Sequence, residues 1–316
     1  MSLTNRDISF VLACRAIHLS GWMAAVLLIL LVTPPVFGAN AKPIVIRYPH
    51  FHEEEKIYAK RTLYLVDLLK LSLEKSAQPY TLKPIPIATI TGNRNTRYLK
   101  TGVYDINWMH TDSEREHALV PIRVPLFRGL IGWRIFLIRS NDQGLYSEIE
   151  TVSDLKKLTT GQGYDWPDTT ILRYNDFKLI PSISPPTLTK MLLGKRIDFF
   201  PRGILEAWEE IDIIDNNSLS VEKKFVLQYP TAKYFFVAPD NKALASTIEK
   251  GLMLAIEDGS FEKLFFEYYG KEILESRLSE RKIIHLPNPY LSSATPINNK
   301  ALWFSVADIS RIPADK

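Results

Sequence analysis

Two long β-prone runs, LIGWRIFLIR at 130–139 and KYFFVAP at 233–239, bracket a β/α series that is complete in itself. The strings between them read SDLKKL (helix), TTGQG (strand end), PDTTIL (helix start), FKLIP (strand), PTLTKMLLG (helix) and RIDFFP (strand). A chain that leaves one β/α unit, builds a second and then returns is constrained to two lobes joined by a double crossover. Such lobes enclose a cleft that can close by hinge motion. The flanking sequence fits the same α/β class. PIVIRY predicts a strand, and 57–76 predicts a helix from the spacing of Ile57, Leu65, Leu68, Leu69 and Leu73. YTLKPIPI reads as a strand, TRYLKTG (96–102) as a short helix, and YDINWMH as a strand. LASTIEKGLMLAIEDG and SFEKLFFEYYG then read as two helices.

The expected division is a leader over 1–41, a first part of lobe one over 42–137, an inserted lobe two over 138–232, and a return to lobe one with a C-terminal tail over 233–316. Residues 271–316 match no pattern. At the N-terminus Arg6 and Arg15 precede GWMAAVLLILLV at 21–32, a run of signal-peptide length and short for a membrane span. Pro34 and Pro35 break it, and Ala39 and Ala41 supply small residues before Lys42. The pattern predicts export to the periplasm with cleavage after Ala41; the alternative is an uncleaved anchor.

Cys14, the one cysteine, precedes the apolar run, so a mature chain from Lys42 has no thiol catalysis, disulfide or Cys-ligated metal. With 39 Lys+Arg against 35 Asp+Glu and no basic block, nucleic acid is not an expected partner.

Three strings resemble the extracytoplasmic solute-binding proteins of family 3, the polar-amino-acid type associated with ABC importers. TGVYDINWMHTDSEREHALVPI is similar to the lobe-one G-x-x-D-I … T-x-x-R segment, through Asp105, Thr111 and Arg115. LLGKRIDFF, with Gly194, Arg196 and Asp198, is similar to the lobe-two L-x-x-G-R-x-D, one residue longer. IEKGLMLAIEDGSFEKLFFEYYG resembles the C-terminal helices. Together they cover most of 42–270 and imply a two-lobed, type II periplasmic-binding-protein fold with two hinge strands. The resemblance implies that Arg115 grips a ligand carboxylate. The aspartate that holds an α-ammonium in amino-acid binders is replaced here by Gly203, beside Arg202, so an anionic ligand is expected in place of a plain amino acid.

GQGYDWPDTT at 161–170 falls at the family's ligand turn. Asp165 is a plausible N-cap, Pro167 suits the first helical turn, and Asp168 complements the helix dipole. Gly161 and Gly163 let a ligand near the backbone, while Tyr164 and Trp166 supply a wall. Arg94, Arg128 and Arg202 stand at element ends where guanidinium forks suit carboxylate or phosphate. Trp108 and Tyr48, both on predicted lobe-one strands, complete the candidate set. HFHEEE (His50, His52, Glu53, Glu54, Glu55) has metal-ligand chemistry but no visible distant partner, and no metal or other cofactor is expected.

No G-x-S-x-G, P-loop or H-E-x-x-H occurs, so the chain is not expected to be an enzyme. The expected function is a monomeric solute-binding protein. The alternatives are a ligand-sensing input to a membrane receptor and, less favoured, an enzyme on the same fold.

Overall fold

The computed structural model describes residues 43–51, 56–87, 92–214 and 217–313, so the expected leader and His52 to Glu55 lie outside the described residues. The strands are β1 (Ile44–Phe51), β2 (Tyr80–Ile87), β3 (Ile106–His110), β4 (Val120–Ile122), β5 (Trp133–Arg139), β6 (Thr159–Gly163), β7 (Lys178–Ser182), β8 (Phe200–Gly203), β9 (Leu219–Val221), β10 (Phe225–Gln228), β11 (Lys233–Val237) and β12 (Lys282–His285). The helices are α1 (Lys56–Lys75), α2 (Gly92–Lys100), α3 (Ser113–Ala118), α4 (Gln143–Glu148), α5 (Val152–Leu155), α6 (Pro167–Tyr174), α7 (Pro185–Leu193), α8 (Ala207–Ile214), α9 (Lys242–Glu257) and α10 (Ser260–Glu275).

The strands separate into two groups. In the first, β1 pairs in parallel with β2, and β11 runs antiparallel between β3 and β4. In the second, β5 pairs with β8, β9 and β10, and β6 pairs in parallel with β7. A bridge from Thr160 to Phe199 joins β6 to the β8 side. β5 lies wholly in the second group and β11 wholly in the first. The backbone crosses between groups over 123–132 and 229–232. Both runs are continuous rather than alternating because strands buried on both faces need apolar side chains on each: six of the seven residues of β5 and four of the five of β11 are buried.

Leu65, Leu68 and Leu69 of α1 pack with Ile248, Leu252 and Ala255 of α9 and with Phe235 of β11 in one core cluster. Each of these leucine, isoleucine and phenylalanine side chains taken from water contributes roughly 1.5–3 kcal/mol. Gly251 sets how closely α1 and α9 approach: a Cβ there would lie 1.7 Å from the Ser72 carbonyl oxygen. A smaller cluster of Phe136, Tyr146, Phe199 and Leu227 fills the second group.

The segment after α10 is built into both groups. β12 adds to the second by pairing in parallel with β10, Phe225 opposite Lys282. The chain then passes the return crossover, where the Asn288 amide donates to the Pro230 carbonyl. It reaches the first group, where the Ser292 hydroxyl donates to Glu116 and Phe304 N–H donates to the Arg128 carbonyl at 2.7 Å. The Trp303 ring lies against Gly129, whose φ of 77° and contact with the ring both favour the absence of a side chain.

Candidate functional site

The cavity between the two strand groups has a volume of about 540 Å3. Trp108, His110 and Arg115 line it from the first group; Tyr164 and Trp166 line it from the loop into α6. Lys233 lies at the return crossover, and Asn288 and Tyr290 come from the C-terminal segment.

The floor is set by strand register. Lys233 stands opposite His110 in the β11–β3 ladder, and Phe235 opposite Trp108. Residues two apart on a strand share a face, so both pairs lie on one side of the ladder. Burial, and then the positive charges of Lys233, Arg134 and Arg115, push the His110 imidazole well below its ordinary pKa, so the ring is neutral at pH 7. Its Nδ1 has no hydrogen-bond partner among the described residues. Arg115 extends from α3, which Asp112 caps by accepting from Arg115 N–H. The Arg115 guanidinium donates to the His110 carbonyl and pairs with Asp112 at 2.6 Å, leaving a buried Nε without a partner.

On the opposite wall, Trp166 rather than Asp165 is the N-cap of α6, and it makes no side-chain cap bond. The first turn is closed instead by Thr169, whose N–H donates to the Trp166 carbonyl and whose hydroxyl donates to that of Gly163. Pro167 sits in the first turn as expected. Trp166 is covered on its faces. A Cβ on Gly163 would meet its ring at 2.4 Å, and the Arg202 guanidinium lies 4.8 Å from its centroid. Tyr164 is the freer ring, 59% exposed. Asp165 is exposed on the same wall.

Arg202 does not face the cavity. It is buried and paired with Glu210 through Nε at 2.5 Å, and with Glu206 at 3.3 Å. This belongs to a buried charge network centred on Glu206, which accepts from Arg61 of α1 at 2.5 Å, Arg134 of β5 at 2.9 Å and the Gly203 N–H at 2.8 Å. Arg134 also pairs with Asp168 at 2.6 Å, and the Tyr229 hydroxyl donates to Asp168. Asp168 thus neutralises a guanidinium in addition to facing a helix N-terminus. The network also explains the glycine at 203: a Cβ there would meet Glu206 at 3.0 Å and Arg134 at 3.1 Å. A side chain there would have to displace these two members of the network.

Arg128 is likewise turned inward. It is buried, with φ of 50°, and pairs with Glu262 at 2.7 Å and Asp308 at 3.0 Å. These residues line a separate cavity of about 740 Å3 beneath the C-terminal segment. Arg94 is exposed on α2 and forms no part of the cleft wall. Tyr48 is half-buried behind Trp108, with ring centroids 6.2 Å apart, and supports that ring without lining the cavity. Of the residues singled out in the sequence, the cleft therefore brings together Arg115, Trp108, Tyr164 and Trp166. His50 is exposed, and among the described residues no three His, Cys, Asp or Glu side chains are placed to hold a metal ion.

Sequence reasoning missed Lys233, His110, Asn288 and Tyr290. A lysine heading a strand that is otherwise buried was the available signal for Lys233. The tail residues carried none, because their place depends on where β12 docks.

The architecture is shared with solved structures. An ancestral arginine-binding protein bound to glutamine aligns with TM-score 0.51 at 15% identity, over 72% of this chain and 99% of that chain. The same ancestral protein bound to arginine gives 0.50 at 15%, over 73% and 100%. The periplasmic VFT2 domain of BvgS from Bordetella pertussis gives 0.52 at 15%, over 71% and 93%. No protein-family model and no curated protein matches the sequence. The fold is thus a two-lobed, periplasmic-binding-protein-like α/β fold. The two-lobed fold that the sequence resemblance implied is thus present, at about 15% identity to these structures.

Proposed function

We propose that this chain is a monomeric periplasmic solute-binding protein that captures a small, acid-bearing ligand between its lobes for delivery to an ABC importer. Lobe one comprises β1 to β4, β11, α1, α9 and α10; lobe two comprises β5 to β10 with β12. One observation carries the reading: the 540 Å3 cavity is walled from both lobes and is lined by two cations, Lys233 and Arg115. A ligand touching both walls favours the closed arrangement by its differential affinity for it. The fold held in common with an arginine-binding protein supports small-molecule capture. No step of covalent chemistry is needed.

Native mass spectrometry of the chain purified from a periplasmic fraction tests the proposal. The expected result is a bound organic acid that is released on unfolding. Purified chain whose melting temperature responds to no small acid would refute it. Recovery only from membranes, with 1–41 retained, would replace importer delivery with receptor input.

A further inference from the structure

Lys233 is a cation without a counter-charge. It stands in the cleft beside His110 on the β3–β11 ladder, and among the described residues its ammonium has no hydrogen-bond or ion-pair partner. Its one marked contact is the Phe127 ring, 5.9 Å from the nitrogen. The charged groups around it are Arg61 of α1, Arg115 of α3 and Glu206 of lobe two. Glu206 is already engaged by Arg61, Arg134, Arg202 and a backbone N–H, so it has little left to offer an ammonium. Arg115 differs from Lys233 in being partly neutralised by Asp112. Burial, then repulsion from Arg61 and Arg115 only partly offset by Glu206, brings the Lys233 ammonium down to about 8. A half-buried charge left in this condition is costly to the empty protein and is relieved by an anion.

Resting on the cleft-binding reading above, we infer that Lys233 is the principal ligand cation, seating a single carboxylate of the ligand between its ammonium and the Arg115 guanidinium. A monocarboxylate fits better than a phosphate dianion, because one free cation and one half-neutralised arginine face Asp112 and Asp165 in the same cavity. The ligand skeleton then rests on the exposed face of Tyr164 and the edge of Trp108.

The test uses the full chain with sodium acetate, benzoate, succinate and inorganic phosphate as probes at constant ionic strength, read by thermal shift and calorimetry. At least one carboxylate is expected to raise the melting temperature. Lys233→Met should melt higher than wild type without probe, yet bind that carboxylate about ten- to a hundredfold more weakly, as loss of a charged hydrogen bond implies. A residue of purely structural importance would not shift stability and affinity in opposite directions. Competitive acetylation read by peptide mass spectrometry should show Lys233 reacting at lower pH than exposed Lys271, with protection by the carboxylate. If Lys233→Met binds like wild type while Tyr164→Ala does not, the cleft reading stands and the role of Lys233 falls. If both variants bind like wild type, the cleft reading falls too. Response to phosphate alone, or to no probe, overturns the carboxylate assignment.

Discussion

Glu206→Gln is the sharpest perturbation of the charge network that joins the lobes. The carboxylate is surrounded by guanidiniums from Arg61 at 2.5 Å, Arg134 at 2.9 Å and Arg202 at 3.3 Å. The amide keeps the shape and the acceptor for Gly203 N–H but removes the charge that compensates these arginines. Removing one partner from a buried ionic set costs about 3–5 kcal/mol, because the charges left behind stay desolvated. For a chain of this size that corresponds to roughly 6–20 °C in melting temperature. The assay is urea unfolding followed by tryptophan fluorescence, with the midpoint lowered and the slope unchanged. Arg61→Met and the double variant complete a cycle, in which the two single losses should fail to add. The pH dependence gives an independent check. Burial alone would raise the Glu206 pKa, but Arg202, Arg61 and Arg134 hold it well below the ordinary carboxylate value. A carboxyl depressed on folding contributes stability above its unfolded pKa and loses it as pH falls toward the folded one. Wild-type stability should therefore decline below about pH 4.5, more steeply than that of the variant. A loss under about 1 kcal/mol, with parallel acid profiles, would refute the reasoning.

Tyr164→Ala should unfold within about 0.5 kcal/mol of wild type, because an exposed ring contributes little to packing, while losing affinity for any acid held in the cleft; paired melts with and without acid check this. Gly251→Ala should cost about 1–3 kcal/mol or more, since the added methyl meets the Ser72 carbonyl and forces α1 from α9; urea midpoints report it. Arg128→Met should cost about 1–3 kcal/mol, since Glu262 and Asp308 lose their buried partner but keep Arg311, yet leave acid affinity unchanged, because its cavity is separate from the cleft.

The α/β architecture was legible because it rests on short-range patterns: the 3.6-residue spacing of Leu65, Leu68, Leu69 and Leu73, and the continuous apolar runs of β5 and β11. Cleft residues next to recognisable turns, Arg115, Tyr164 and Trp166, were legible for the same reason. The arginines were not sorted correctly. Whether a guanidinium meets ligand or an internal carboxylate depends on residues distant in sequence: Arg128 meets Asp308, and Arg61 meets Glu206. Local spacing holds no record of such pairs. An apolar run likewise shows that a strand is buried but not which sheet buries it, so the sheet partners of β5 and β11 were not legible from it.

Strand β12 has a consequence for how this chain comes into being. Its partner β10 is made first, and Phe225 to Gln228 must wait for Lys282 to His285 before that edge of the sheet is sealed. Lobe one must wait as well, because β11 fills the gap between β3 and β4 only after all of lobe two has been synthesised. Neither half can reach its native state ahead of the other on the ribosome, where domains with local contacts would mature one by one. Unpaired strand edges on β10 and between β3 and β4 therefore persist until β12 and β11 have been synthesised, the long-range pairing that slows folding.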